Sequence, residues 1–453
     1  MWASVQLFGF PMTHPASREK ASPPASAGAS IPPQHSSMSH VLFLMSLSVV
    51  INYIDRSNLS IAAPLIKDEL GLSASQLGTL LSAFFWTYAL MQMPAGWLVD
   101  RFDVKWVFAA GFFLWSVATA VTGVLHGFVA LLTIRVILGI GESVAFPSYS
   151  KILCSQFREE RRGFANALII GGLALGPAIG IMVGGNIVGR FGWRPFFVTL
   201  GLAGLLWLVP WCAWMPRWTK PSRVPAAPWS GVLPILRQRS AWGTCLGQFC
   251  INYYLYFLVT WLPFYLVRGR HLSMTTMARE GGLLFLMSAI GATVWGKLSD
   301  HWISAGSSTT FVRKASMAVG CTGVGVFITL TAVVPDNLLP WMLAATGASL
   351  GISGCATWAI PQTLAGREMV GRWTGLQNFV GNFAGPVAPA LTGYLLDRTG
   401  LFYWPFLITA AMAWLGALAW TLVVGPIEEV NWDNVPRQIS AISSHPAAEP
   451  SQP

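Results

Sequence analysis

Four charged side chains lie inside long apolar segments of the sequence, where ionised groups are rare. Of the 18 acidic residues, only Asp55 and Glu142 lie well within such a segment, and Arg56 and Arg135 share the same two segments. Burial of a carboxylate in an apolar layer costs several kcal/mol unless the group is protonated or paired. These four residues are therefore candidates for a functional site.

The four side chains have the composition needed to couple a proton to an anion. Asp55 and Arg56 are neighbours, whereas Arg135 and Glu142 would share one face of a helix, roughly 10 Å apart along its axis. The set is neutral when both acids are ionised and positive when one is protonated, which would free a guanidinium to bind a carboxylate. Anion binding and proton binding would then be linked. Two structural ion pairs that fix helix packing are the alternative.

The composition places these segments in a membrane. Of the 453 residues, 54% are hydrophobic and 10% are charged, compared with roughly 45 to 50% and 25% in soluble domains. The net charge of +10 is spread over many loops, so we expect no nucleic-acid partner. The six cysteines form no C-x-x-C pair, and the sequence has no Walker loop and no G-x-S-x-G motif. We predict that the protein is not an enzyme, holds no metal and uses no cofactor other than protons as coupling ion.

Twelve apolar segments of about 18 to 25 residues are each long enough to cross the hydrocarbon core of a bilayer. They lie near 41–63, 76–98, 106–125, 129–152, 162–186, 195–215, 241–267, 280–299, 313–334, 338–363, 372–395 and 401–424. We predict an all-α integral membrane protein of 12 transmembrane helices in two halves. Its parts are a disordered N-terminal tail (1–40), a six-helix half (41–215), a central cytoplasmic loop (216–240), a second six-helix half (241–424) and a C-terminal tail (425–453). Most of the 28 Lys and Arg residues fall on one side of this topology, which predicts that both termini are cytoplasmic.

Short matches between the halves indicate an internal duplication. They are GWLVD at 96–100 with GKLSD at 296–300, and WRPF at 193–196 with WPF at 404–406. The stretch after the second segment, GWLVDRFDVKW, also resembles the loop motif G-x-x-x-D-[RK]-x-G-x-[RK]-[RK] of the major facilitator superfamily. The matching residues are Gly96, Asp100, Arg101 and Lys105, whereas Asp103 and Trp106 depart from the motif.

Three further segments resemble the anion:cation symporter family within that superfamily. They are NYIDRSNLSIAAP at 52–64, RVILGIGESVAFP at 135–147 and NYYLYFLVTWLPFYL at 252–266. The resemblance implies a major facilitator fold and proton-coupled uptake of a small organic anion, such as a sugar acid, a dicarboxylate or an aromatic acid, across a bacterial inner membrane. It also assigns Asp55 and Glu142 to proton coupling, and Arg56 and Arg135 to the anion. The resemblance and the match between the halves together assign six residues to a cytoplasmic gate. They are Gly96, Asp100, Arg101, Lys105, Gly296 and Asp300.

Uncharged polar side chains on the apolar spans are further candidates to contact a substrate. They are Tyr53, Tyr88, Gln248, Asn252, Tyr253, Thr357, Trp358 and Asn378. The last three match positions at which sugar-acid members of the family contact substrate. Cys355 stands where those members carry Ser, and the fifth span has no amide between Leu168 and Met182, so a smaller or more apolar acid also fits. We expect the bilayer and the anion as partners, and a monomer. An efflux antiporter and an exchanger of two organic anions are the alternatives.

Overall fold

Each of the twelve predicted spans overlaps a helix in the structure, a computed structural model that describes residues 35–156, 169, 171–173, 175–215 and 233–432. The helices are α1 (His35–Leu70), α2 (Ala74–Arg101), α3 (Val104–Thr122), α4 (Phe128–Leu153), α5 (Gly171–Phe191), α6 (Trp193–Trp214), α7 (Arg239–Gly269), α8 (Met274–Ser304), α9 (Thr309–Val333), α10 (Leu339–Gly366), α11 (367–399) and α12 (Tyr403–Val423). A short helix, Leu233–Leu236, precedes α7. α1 begins at His35, so the boundary predicted at residue 41 lies inside this helix. The rest of the predicted N-terminal tail, most of the central loop and most of the C-terminal tail lie outside the described residues.

Within the described part of the chain, nine helices are long and apolar enough to cross a membrane, and they are α3 to α10 and α12. α1, α2 and α11 are long enough but more polar. α1 carries Asn52, Asp55 and Arg56, and α11 carries Gln377 and Asn382. All five of these side chains are buried. The polar content of α1 and α11 therefore faces the interior of the bundle and not lipid.

The fourth helix of each half breaks at an equivalent position, and a proline explains each break. α4 is interrupted between Glu142 and Ala145, and α10 is interrupted at Trp358. Pro147 and Pro361 have no amide hydrogen, so each leaves the carbonyl four residues earlier without its helical donor. This shared feature supports the predicted duplication.

One capping contact is also repeated in both halves. The ammonium group of Lys105, at the start of α3, donates to two carbonyl oxygens at the C-terminus of α6, at distances of 2.8 and 2.6 Å. Lys314, at the start of α9, donates to two carbonyl oxygens at the C-terminus of α12, at 2.9 and 2.7 Å. The last carbonyls of a helix have no partner within it, so both lysines act as caps. The resemblance placed Lys105 in the cytoplasmic gate, but here it is buried and caps α6.

Glycines bring α5 into backbone contact with α1. The four residues Gly172, Gly176, Gly180 and Gly184 recur every fourth position along α5 and face residues 49, 53, 54, 57 and 61 of α1. A Cβ atom on Gly176 would lie 2.4 Å from the Cβ atom of Tyr53. Small residues at this spacing allow two membrane helices to pack closely. α5 therefore supports the face of α1 next to Asp55 and Arg56.

The two halves touch at one end of the bundle, which we call the closed end: the end of α1 and α7 and the beginning of α2 and α8. Here a Cβ atom on Gly78 of α2 would lie 2.6 Å from the carbonyl oxygen of Pro389 in α11, and one on Gly185 of α5 would lie 2.6 Å from Ala278 of α8. The opposite end, where α2 and α8 finish, we call the open end. Apart from chain neighbours and the backbone of the same helix, no atom of the described residues lies within 4 Å of the position that a Cβ atom would take on Gly96 or Gly296. A side chain at either predicted gate glycine would therefore meet no described atom of the other half.

We predict that Lys105→Met lowers the thermal denaturation temperature of the purified protein. The change leaves two carbonyl oxygens without a charged donor, at a cost of roughly 1 to 3 kcal/mol. Lys297→Met, at an exposed position of α8, is the matched control and should change the temperature little. Equal effects of the two substitutions would contradict the capping role.

Candidate functional site

Arg56 of α1 lies at the centre of a buried charged site. Its Nε donates to Oε2 of Glu142 on α4 at 3.1 Å, and both side chains are almost fully buried. The guanidinium also lies over three aromatic rings, with its carbon 4.4 Å from the ring centre of Tyr88, 4.8 Å from that of Tyr53 and 5.4 Å from that of Phe84. The rings offer negative π-faces to a cation that water cannot reach. One ion pair and an aromatic enclosure thus hold Arg56.

Asp55 does not pair with its neighbour Arg56. Adjacent residues on a helix point about 100° apart, and Asp55 points towards α3. Its Oδ1 accepts hydrogen bonds from Thr119 Oγ1 at 3.1 Å and from Asn58 Nδ2 at 3.0 Å. No cationic group of the described residues lies within 4.0 Å of this carboxylate. A threonine in an apolar span has no distinctive sequence signal, so Thr119 could not be predicted.

Arg135 is buried and forms no ion pair with any of the described residues. It lies on α4 and is 3% exposed, and its guanidinium carbon is 5.5 Å from the ring centre of Phe84. Its Nε has no hydrogen-bond partner, and no carboxylate among the described residues lies within 4.0 Å of it. Asp55 and Glu142 both lie within electrostatic range. A buried guanidinium with unused donors is unfavourable by itself and favourable once an anion accepts from it.

A chain of amide side chains links α7, α10 and α11 in the second half. Gln377 Nε2 donates to Gln248 Oε1 at 3.0 Å and to the carbonyl oxygen of Thr357 at 3.3 Å, and Gln248 Nε2 donates to Asn252 Oδ1 at 2.9 Å. The carbonyl of Thr357 is the one that Pro361 leaves without a helical donor. Gln377 therefore compensates for the break in α10.

Tyr256 connects this amide chain to the charged site. Gln248, Asn252 and Tyr256 lie on one stripe of α7, rising roughly 6 Å per step. The Tyr256 hydroxyl donates to Asn382 Oδ1 of α11 at 2.9 Å, and its ring centre is 4.5 Å from that of Phe85 in α2. Tyr256 also lies within electrostatic range of Arg56. The polar groups of the two halves thus meet around α7.

The structure brings most of the predicted substrate residues to this region. Tyr53, Tyr88, Gln248, Asn252 and Thr357 lie in the contacts just described. Tyr253 is buried in the same apolar cluster as Tyr88, and Trp358 lies at the break of α10. Asn378 is exposed and makes no hydrogen bond to the described residues, whereas its neighbour Gln377 is fully buried.

Three residues that the second half adds to the site were also not predicted. Gln377, Tyr256 and Asn382 lie within four residues of predicted positions but carried no charge or motif that distinguished them. The gate residues do not approach the site. The Arg101 guanidinium lies over Trp97 of its own helix, 5.9 Å from the ring centre, and Asp300 is exposed. The side chain of Asp100 lies outside the described part.

The family model described as the Major Facilitator Superfamily matches residues 45–389. The chain belongs to this superfamily. Among curated relatives, a probable sulfoacetate transporter from Cupriavidus necator is 33% identical, with 86% of this chain and 94% of that protein covered. A hexuronate transporter from Bacillus subtilis is 32% identical, with 85% and 94% covered. These relatives confirm the resemblance to organic-acid permeases that the sequence motifs indicated.

Solved structures confirm the major facilitator fold. An inward-facing, unoccupied bacterial homologue of the human lysosomal transporter Spinster aligns with a TM-score of 0.72 over 86% of this chain and 98% of that chain, at 19% identity. The family model and the curated relatives make the protein a multi-pass membrane transporter of the superfamily and not an enzyme, as predicted.

We predict that Gln377→Leu destabilises the transporter by roughly 1 to 3 kcal/mol, because Gln248 and the freed carbonyl of Thr357 lose a buried donor. Thermal denaturation in detergent measures the effect. Asn378→Leu, one residue away and exposed, is the control and should change stability by less than about 0.5 kcal/mol. If the control lost as much stability as Gln377→Leu, the amide chain would have no special role.

Proposed function

We propose that this major facilitator protein takes up a small organic anion by proton-coupled symport through alternating access. The observation that carries the proposal is the buried guanidinium of Arg135, which has no ion-pair partner among the described residues and lies beside the Phe84 ring, as does Arg56 of the Arg56–Glu142 ion pair. A site with a free cation, and a second cation held by a single carboxylate, favours an anionic cargo. A carrier of cationic drugs would need the opposite arrangement.

Protonation of Glu142 provides the coupling step. When Glu142 is ionised, its Oε2 accepts a hydrogen bond from the Nε of Arg56. A proton on Glu142 removes the attraction and leaves Arg56 beside Arg135 with excess positive charge in an apolar surrounding. An organic anion restores neutrality, so proton and anion bind more tightly together than apart. Asp55 is the second proton-coupling candidate, and its two hydrogen-bond donors, Thr119 and Asn58, stabilise its ionised form.

The cargo class follows from the mixed lining of the site. The guanidinium groups suit a carboxylate or a sulfonate, and the amides and tyrosines along α7 suit hydroxyl groups. The names of the relatives, a sulfoacetate and a hexuronate transporter, support a small, polar organic acid. The position of Cys355, where sugar-acid members of the family carry Ser, keeps smaller acids within this class.

The predicted topology relates the two ends of the bundle to the two sides of the membrane. With both termini in the cytoplasm, the open end faces the cytoplasm and the closed end faces outwards, and in the uptake cycle that we propose this conformation releases cargo. We place the protein in the inner membrane of a bacterium, as a monomer, with protons as the coupling ion. Exchange of two organic anions uses the same arginines without net proton flow, and the coupling experiment below distinguishes the two modes.

Arg135→Ala is expected to abolish anion binding, because it removes the unpaired cation. The measurement is thermal stabilisation of the purified protein by a panel of sugar acids, sulfoacetate, tartrate and benzoates, with cationic drugs for comparison, at pH 5.5 and pH 7.5. A bound ligand raises stability in proportion to the logarithm of its concentration over its dissociation constant. The wild type should be stabilised by one of these acids, and more strongly at pH 5.5. Stabilisation by cations alone would point to efflux of drugs.

Glu142→Gln is expected to separate exchange from accumulation. The amide mimics the protonated acid, so the variant should still exchange labelled for unlabelled cargo across proteoliposomes. It should lose accumulation driven by an inward proton gradient, because no proton can be released. Glu428→Gln, in the segment after α12, is the control and should retain both activities. Full proton-driven accumulation by the Glu142 variant would contradict the assigned role.

A further inference from the structure

α2 and α11 carry the same short motif, at opposite ends of the bundle. α2 has GWLVDR at 96–101 and α11 has GYLLDR at 393–398, with the glycine, the aspartate and the arginine at identical positions. The copy on α2 lies at the open end and the copy on α11 at the closed end. The resemblance concerned the first copy alone, and nothing in the sequence indicated a role for the second.

Asp397, in the second copy, caps the N-terminus of α2 across the seam between the halves. Its Oδ1 accepts from the amide of Ala74 and its Oδ2 from the amide of Ser75, both at 2.7 Å. α2 satisfies the neighbouring donors by itself, since the Ser73 hydroxyl accepts from the Gln76 amide at 3.1 Å and the Gln76 side chain accepts from the Ser73 amide at 2.9 Å. This capping box leaves two of the first amides of α2 without a partner. Asp397 fills both.

The glycine of the second copy makes the contact possible. A Cβ atom on Gly393 would lie 2.4 Å from the carbonyl oxygen of Ala74, and one on Gly78 would lie 3.2 Å from the Cα atom of Gly393. The backbones of α2 and α11 therefore touch, and this approach sets Asp397 directly over the end of α2. The carboxylate combines two charge-assisted hydrogen bonds with the favourable field of the helix N-terminus.

A second contact crosses the same seam. Arg268, at the end of α7, forms an ion pair with Asp68, near the end of α1. Both side chains are partly exposed, 40% and 54%, so water screens this pair and it contributes little by itself. Asp397 is also exposed, but it is the better candidate for holding the closed end, because its two acceptors meet backbone donors that are fixed in place.

We propose that Asp397 is a latch that holds the closed end of the bundle shut. It caps α2 from the opposite half, so the cap must break when the halves rock and the closed end widens. The free energy of the cap therefore adds to the stability of the present conformer. The latch acts in any transport mode and does not depend on the cargo or on the proton.

The test measures the width of the closed end without substrate. Fluorophores attached through genetically encoded keto amino acids at positions 126 and 337 report this width, because His126 and Asn337 are exposed there on different halves and the native cysteines stay untouched. Asp397→Asn keeps one acceptor oxygen but loses the charge and the second acceptor, and in lipid nanodiscs it should raise the ratio of wide to narrow conformers by about 2- to 30-fold. Asp336→Asn is the matched control, because Asp336 pairs with Arg270 at the same end but within one half. The control should leave the ratio unchanged.

A conservative variant completes the test. Asp397→Glu keeps the charge and should recover part of the narrow population, so the proposal stays testable if the Asn variant folds poorly. The proposal is overturned if Asp397→Asn matches the Asp336→Asn control. Since no cargo is present, a failure here is separate from any failure of the symport proposal.

Discussion

A positive charge kept inside a hydrocarbon layer needs nearby negative charge, and the first half of the bundle is arranged around that requirement. Arg56 meets it with one carboxylate, Glu142, and with the faces of Tyr53, Phe84 and Tyr88. The helices that supply these groups, α1, α2 and α4, are held at the necessary distances by small residues. A Cβ atom on Gly139 of α4, for example, would lie 2.5 Å from a carbonyl oxygen of α2. The close packing of these helices therefore also stabilises the buried charge, because it holds the groups around Arg56 in place.

The second half has an unpaired backbone carbonyl to satisfy, and it uses neutral side chains. Pro361 breaks α10 and exposes a backbone carbonyl that lipid cannot satisfy. Gln377 of α11 donates a hydrogen bond to this carbonyl and another to Gln248, which in turn donates to Asn252. These bonds fix the orientation of the Gln248 and Asn252 side chains. A bend in one helix thus specifies the positions of polar side chains on two others. This is the physical reason that polar residues gather at the break.

The sequence predicted the fold and the charged residues, and it failed where neighbouring positions had to be distinguished. Long apolar segments, repeated motifs and buried charges are strong signals, because few other structures tolerate them. The geometry of the charges was not predictable: Asp55 and Arg56 are adjacent in the chain, yet they face different helices. Likewise Gln377 and Asn378 are equally polar, and only the helix rotation set by packing decides which is buried. The motif predicted Lys105 in the cytoplasmic gate, whereas in the structure it donates to two carbonyl oxygens at the end of α6.

The placement of all four charged side chains in one half affects how related transporters can change their cargo. All four come from α1 and α4, within one half, whereas the second half contributes amides, hydroxyls and aromatic rings. In the rocking mechanism proposed above, the charged groups would move as one body and their mutual distances would stay constant. Substitutions in the second half can then change the shape and the hydroxyl pattern of the molecules accepted, while the charge balance of the first half is preserved. New cargo preferences can therefore evolve on one half without rebuilding the energetics of the other.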